Sequence, residues 1–118
     1  MNGLPTLLAR RDDAGRIELE LEVPADNPWF DGHFPGFAIL PGVVQIGWAA
    51  HFGHALCGFG PGVRGLEQIK FKRPILPGAR LILSLKPDLT AGRLRYEYRE
   101  ADQVCSSGIL EFSREAGA

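Results

Sequence analysis

Apolar and charged residues alternate without interruption over residues 16–23, which read Arg-Ile-Glu-Leu-Glu-Leu-Glu-Val. This period of two predicts a β-strand with one buried face and one face in water. Similar patterns predict four further strands, over residues 64–72, 80–86, 93–99 and 104–112. We expect tight turns at Pro77-Gly78 and Ala91-Gly92, since residue pairs containing glycine or proline commonly form the turns between strands.

The middle of the chain predicts a long loop followed by a helix. Residues 24–42 hold so many prolines and glycines that we expect an ordered loop there. Residues 43–57 are apolar and alanine-rich, with Pro41 suited to a helix start and Gly58 to a helix end. Because apolar residues lie all round this helix, we expect it to be buried on nearly every side.

One buried helix among antiparallel strands predicts an α+β fold, in which a sheet curls around a single central helix. A helix wrapped on one side only would need a partner to cover the other, so we expect a homodimer or a higher oligomer. The 118 residues suggest one domain over 1–118.

Composition narrows the class of protein. Thirteen basic and 14 acidic residues give a net charge of -1, so no basic excess indicates nucleic-acid binding. No apolar run approaches the roughly 18 residues of a membrane span, and the N-terminus does not resemble a signal peptide. We therefore expect a cytoplasmic protein. The two cysteines, Cys57 and Cys105, are expected to be small buried apolar residues.

The most specific motif is Gly-His-Phe-Pro-Gly at 32–36, followed after four residues by Pro41-Gly42-Val43. A second motif, Lys-Phe-Lys-Arg-Pro-Ile-Leu-Pro-Gly, occupies residues 70–78. Both resemble the signature of the 3-hydroxyacyl-acyl-carrier-protein dehydratases, which have the hot-dog fold. The continuation after Gly42 resembles a subgroup, the small dehydratase-like proteins of aryl-polyene clusters.

The resemblance implies a role for individual residues. His33 matches the catalytic histidine, and Ile39 the residue whose backbone carbonyl holds the histidine ring. Gly42 matches the glycine whose N–H binds the thioester carbonyl. The expected substrate is a 3-hydroxyacyl thioester on acyl carrier protein or coenzyme A, and the product is the trans-2-enoyl thioester of fatty-acid or polyene synthesis.

One position departs from the family pattern. The helix carboxylate expected fourteen residues after the histidine, on the other subunit, is replaced by Gly47. His51, one helical turn further on, is a candidate for the missing acid. His54, Asp31 and His33 itself remain alternatives for that proton, whereas Gln45 can orient a water but is not a useful acid.

Two surfaces are predicted around this site. The acyl chain is expected to contact a set of apolar and small residues: Phe34, Phe37, Val43, Ile46, Gly47 and Phe71. An acidic carrier protein is expected to meet a basic cluster: Arg64, Lys70, Lys72 and Arg73.

Three functions remain open from the sequence. The first is a dehydratase. The second is a hot-dog thioesterase, which usually needs a carboxylate. The third is a degenerate subunit that binds an acyl carrier or pairs with a related active chain, in a hetero-oligomer whose partner supplies the carboxylate beside His33. Neither a cofactor nor a metal is implied, since the histidines lack the spacing and companions of metal ligands.

Overall fold

The computed structural model describes residues 3–26 and 39–113. These residues form one helix and six strands: β1 (Thr6–Asp13), β2 (Arg16–Glu22), α1 (Gly42–Cys57), β3 (Val63–Phe71), β4 (Arg80–Asp88), β5 (Arg93–Glu100) and β6 (Gln103–Phe112). The strands form one antiparallel sheet in the order β1-β2-β4-β5-β6-β3. This is the α+β arrangement expected of a hot-dog fold, and the predicted helix and five strands are confirmed within two residues at each end.

Strand β1 was not predicted. Its sequence, Thr-Leu-Leu-Ala-Arg-Arg-Asp-Asp, shows no alternation, and all eight residues are exposed. It pairs along β2 at one edge of the sheet, with a register shift between Leu7 and Ala9. A strand held mainly by backbone pairing leaves no hydrophobic period for sequence analysis to detect.

Helix α1 lies against the inner face of the sheet. Its buried residues come from one side: Val44, Gln45, Trp48, Ala49, Phe52, Gly53 and Cys57. On the opposite side Val43 is 76% exposed, and Gly47 and His54 are exposed as well. The expectation that α1 is buried on nearly every side is therefore wrong for the single chain, because the sheet covers only one of its faces.

The two glycines inside α1 have different surroundings. A Cβ atom at Gly53 would lie 2.7 Å from Cδ2 of Leu94 and 3.1 Å from Cζ of Phe112, so Gly53 lets the helix approach the sheet. A Cβ at Gly47 would meet no described atom within 4 Å. Packing therefore accounts for Gly53 but not for Gly47.

The core beneath the helix contains two tyrosines. Tyr96 and Tyr98 are fully buried on β5, and their rings meet edge to face with centroids 5.8 Å apart. Burial raises the pKa of Tyr96 to about 12, and it raises the pKa of Tyr98 well above its usual value. Both cysteines are free and buried, as expected.

We predict opposite effects of alanine at the two helix glycines. Both substitutions gain about 1 kcal/mol of helix propensity. Gly53→Ala also overpacks the contact with Leu94, which costs roughly 1–3 kcal/mol. In urea denaturation, Gly47→Ala is expected to be the more stable variant by at least about 1 kcal/mol. Equal free energies of unfolding would contradict this packing.

We also predict a loss of stability in alkali. An unfolded tyrosine loses its proton near pH 10, whereas Tyr96 and Tyr98 keep theirs at that pH in the fold. Their contribution is complete below pH about 10 and is lost as the pH rises through the folded pKa values. Tyr96→Phe is the test, because the Tyr96 hydroxyl is buried without a hydrogen-bond partner among the described residues. This variant should match the native stability at pH 7 and lose less of it by pH 11; an unchanged alkaline slope would refute the prediction.

Candidate functional site

The N-terminus of α1 presents backbone N–H groups that are unpaired within the described part of the chain. The helix begins at Gly42 after Pro41, with no side-chain cap and no acidic residue in its first turn. The N–H groups of Val44 and Gln45 donate to the Pro41 carbonyl. Those of Gly42 and Val43 have no acceptor within the described ranges. Such a terminus carries a partial positive charge that favours a developing oxyanion.

The ring of Phe71 lies directly over this helix start. A Cβ at Gly42 would sit 2.6 Å from Cζ of Phe71, so only glycine permits the ring in this position. Phe71 ends β3 and is 53% exposed. Beside it is an open cavity of about 340 Å³, lined by Ile39, Leu40, Gly42, Gln45, Phe71, Lys72, Arg73 and Pro74.

A second, more apolar cavity of about 420 Å³ lies on the exposed side of α1, around Gly47. It is lined by Gly3, Leu4, Val43, Val44, Gly47, Trp48, Ala50, His51, His54 and Pro61. The Trp48 indole N–H donates to the Gly3 carbonyl at 3.0 Å, which holds the N-terminal segment against one wall. Neither cavity has a carboxylate among its described lining residues.

The two histidines of this second cavity are held differently. Nδ1 of His54 lies 2.7 Å from the Phe59 carbonyl oxygen. Since a carbonyl only accepts, Nδ1 carries the hydrogen, and Nε2 of the neutral ring is an acceptor. His51 packs edge-on against Phe52, with ring centroids 5.1 Å apart, and makes no hydrogen bond to the described part of the chain. His51 is thus the less constrained of the two.

A buried hydrogen-bond network next to Gly42 was not predicted. The Gln45 side chain is 4% exposed, at the inner end of the cavity beside Gly42. Its Nε2 donates to the Leu40 carbonyl at 3.2 Å, and its Oε1 accepts from the Ser106 hydroxyl at 2.6 Å. The Tyr98 hydroxyl donates to the Gln45 backbone carbonyl at 2.7 Å. A glutamine within an apolar helix was the available signal, but two of its partners, Tyr98 and Ser106, are remote in sequence.

The structure brings together only part of the predicted site. Ile39, Gly42 and Phe71 share the first cavity, whereas Val43, Gly47 and His51 share the second. Ile46 is partly buried against the core and lines neither. The residues expected in the catalytic loop lie outside the described residues: Asp31, His33, Phe34 and Phe37.

The predicted basic cluster is dispersed. Lys72 and Arg73 border the cavity at Gly42. Lys70 instead lines a small cavity with Arg95 and Glu97, and Arg64 lies near the start of β3. Arg64 and Lys70 are six residue steps apart along β3, a span of roughly 20 Å. Of the four residues, only Lys72 and Arg73 border the cavity at Gly42.

Comparison with known proteins places this geometry in a family. A family model described as ApeI-like, ApeI dehydratase, matches residues 9–109. The chain belongs to the ApeI-like dehydratase family. A curated relative, the 3-hydroxyacyl-[acyl-carrier-protein] dehydratase FabZ of Hydrogenobaculum sp. (strain Y04AAS1), is 34% identical over 75% of this chain and 68% of its own length.

Solved structures agree with the ApeI-like assignment. A chain of the dehydratase heterocomplex ApeI:P from Xenorhabdus doucetiae superposes with a TM-score of 0.84 and 32% identity, covering 93% of this chain and 98% of that one. An uncharacterized protein from Erwinia carotovora subsp. atroseptica gives a TM-score of 0.77 and 33% identity, covering 96% and 98%. The hot-dog fold and the family resemblance expected from the sequence are confirmed. No helix in the described ranges is long and apolar enough to cross a membrane.

We predict energetic coupling between Gly42 and Phe71. Gly42→Ala alone forces the half-exposed Phe71 ring away from the helix start, which we expect to destabilise the protein by about 0.5–1 kcal/mol. In the Phe71→Ala background the same substitution meets no ring and should cost less. A double-mutant cycle in urea should give a coupling energy of at least about 0.5 kcal/mol. Additive effects would show that the ring does not lie over Gly42.

Proposed function

We propose that this protein is a 3-hydroxyacyl-thioester dehydratase, which converts a 3-hydroxyacyl chain on a carrier to the trans-2-enoyl thioester and water. Membership of the ApeI-like dehydratase family across residues 9–109 carries the proposal. The FabZ relative named above is a 3-hydroxyacyl-[acyl-carrier-protein] dehydratase by name. The N–H groups of Gly42 and Val43, which have no acceptor among residues 3–26 and 39–113, give the site a means of polarising a thioester carbonyl.

In this proposal His33 carries out the proton abstraction, and the start of helix α1 binds the thioester carbonyl. A ring nitrogen of His33 takes the proton from C2, and the electron pair of that C–H bond forms the C2=C3 double bond. The bond between C3 and the hydroxyl oxygen breaks, and the hydroxyl leaves as water once it receives a proton. The Gly42 N–H holds the carbonyl oxygen and so acidifies C2, while the Ile39 carbonyl orients His33. A histidine suits this base role because its ordinary pKa lies near neutrality.

The proton for the leaving hydroxyl is assigned to His51. Gly47 carries no side chain, and no described carboxylate lines the cavity around it. His51 lies one turn along the same face, borders the same cavity and has no described hydrogen-bond partner to hold its ring away. His54 is the weaker candidate, because its Nδ1–H is engaged by the Phe59 carbonyl.

A second candidate function is a shared site, in which another hot-dog chain supplies the acid. Two observations favour it. The face of α1 that carries Gly47 is left uncovered by residues 3–26 and 39–113 of the single chain. The structural relative from Xenorhabdus doucetiae is described as a heterocomplex. In this form the protein contributes His33 and Gly42, and the partner contributes a carboxylate beside them. A homodimer is the corresponding assembly when His51 is the acid.

The carrier is proposed to approach from the side of Lys72 and Arg73. Both side chains are exposed and border the cavity that opens onto Gly42. Positive charge there would attract an acidic acyl carrier protein or the phosphates of coenzyme A. The thioesterase alternative is less well supported, because the described lining residues offer no carboxylate to activate water.

We predict that the purified protein dehydrates a 3-hydroxyacyl carrier-protein thioester, as followed by mass spectrometry. His33→Ala should lower the rate by roughly 10²–10⁴-fold, the usual contribution of a general base. His51→Gln should also lower it strongly, whereas His54→Gln, the matched control on the same face, should keep most of the rate. An inert native chain that gains activity in Gly47→Glu would instead identify the shared site. Inactivity of both forms, alone and with a related chain, would refute the proposed function.

A further inference from the structure

We infer that Gln45 is a positioning residue, whose buried amide sets the backbone of Leu40 and thereby the geometry of both Ile39 and Gly42. The inference rests on the proposed function for its catalytic consequence. The hydrogen bonds of Gln45 to Leu40 and Ser106 do not depend on that function.

The orientation of the Gln45 amide is fixed by chemistry. The Leu40 carbonyl can only accept a hydrogen bond, so the group 3.2 Å from it must be the NH₂ end of the amide. The other end is then the oxygen, which accepts from the Ser106 hydroxyl at 2.6 Å. Each end of the amide therefore has one matching partner, and a flipped amide would place its oxygen against the Leu40 carbonyl, where no hydrogen bond can form.

Burial makes these bonds costly to lose. Gln45 is 4% exposed, and Ser106 on β6 is fully buried. An unpaired polar group inside a protein costs about 1–3 kcal/mol. Gln45 thus ties the first turn of α1 to β6 on one side and to Leu40 on the other, with little freedom between them.

Leu40 is held from a second direction. Its N–H donates to the Ile75 carbonyl at 2.8 Å, in the segment after β3. Leu40 therefore has its N–H bonded to one segment and its carbonyl bonded to Gln45. Ile39 precedes it, and Pro41 and Gly42 follow, so a displaced Leu40 moves the carbonyl assigned to His33 and the N–H assigned to the thioester together.

The test compares two substitutions at Gln45. Gln45→Met keeps a similar volume but removes both polar ends. Gln45→Glu keeps the shape and the acceptor for Ser106, but in its ionised form it cannot donate to Leu40. Tyr98→Phe is the matched control, because it deletes a buried hydrogen bond to the backbone of the same residue and leaves the amide and Leu40 untouched.

Steady-state dehydration gives the first measurement. Both Gln45 variants should lose kcat by roughly tenfold to a hundredfold, since small misplacement of reacting groups is this costly, while KM changes by less than about threefold because the cavities remain. Tyr98→Phe should lose stability yet keep at least about half of the native kcat. If Tyr98→Phe loses as much kcat as Gln45→Met, the role of Gln45 is only structural and the inference fails.

Hydrogen–deuterium exchange gives a second measurement that does not depend on activity. The Leu40 amide should exchange at least about tenfold faster in Gln45→Met than in the native protein. Without the hydrogen bond from Gln45 to its carbonyl, the Leu40 backbone opens locally more often. In Tyr98→Phe it should exchange at the native rate. Unchanged Leu40 exchange in Gln45→Met would overturn the inference. A native protein without dehydratase activity would refute the proposed function, and the exchange measurement would still decide the role of Gln45.

Discussion

The side-chain amide of Gln45 joins α1, strand β6 and the segment before the helix through hydrogen bonds that water does not reach. An apolar residue could fill the same space, but it would leave the Leu40 carbonyl and the Ser106 hydroxyl without these partners. A buried amide with one matching partner at each end permits a single arrangement. The position of the helix start, and therefore of the Gly42 N–H, follows from that arrangement.

With the helix in this position, its two internal glycines have different surroundings and different roles. Gly53 faces Leu94 and Phe112, where any side chain would push the helix from the sheet. Gly47 faces outward into an apolar cavity with no described neighbour that a Cβ would touch. A glycine weakens a helix, and at Gly47 no packing contact offsets that cost. The open space is explained if acyl substrate or a second chain occupies it.

The features that depend on local pattern were predictable from the sequence. Alternation located strand β2 and its successors, and the motif at 32–43 indicated the dehydratase family to which the chain belongs. Strand β1 was missed because its fully exposed residues carry no period. The Gln45 network was missed because Ser106 and Tyr98 approach it only through the fold. Arg64, Lys70, Lys72 and Arg73 were grouped by their proximity in sequence, but Arg64 and Lys70 lie near opposite ends of β3, and Lys72 and Arg73 follow the strand.

The expectation that the acyl chain contacts Gly47 is tested most directly by the accessibility of the apolar cavity on that face of α1. In Gly47→Cys the new thiol is the reactive one, because Cys57 and Cys105 are buried. Its rate of alkylation would be measured with and without a saturating, non-hydrolysable 3-hydroxyacyl pantetheine amide. The account predicts at least about tenfold protection by the ligand, as expected when a bound chain excludes solvent from its pocket. An alkylation rate that is unchanged at saturation would place the acyl chain elsewhere and contradict the account.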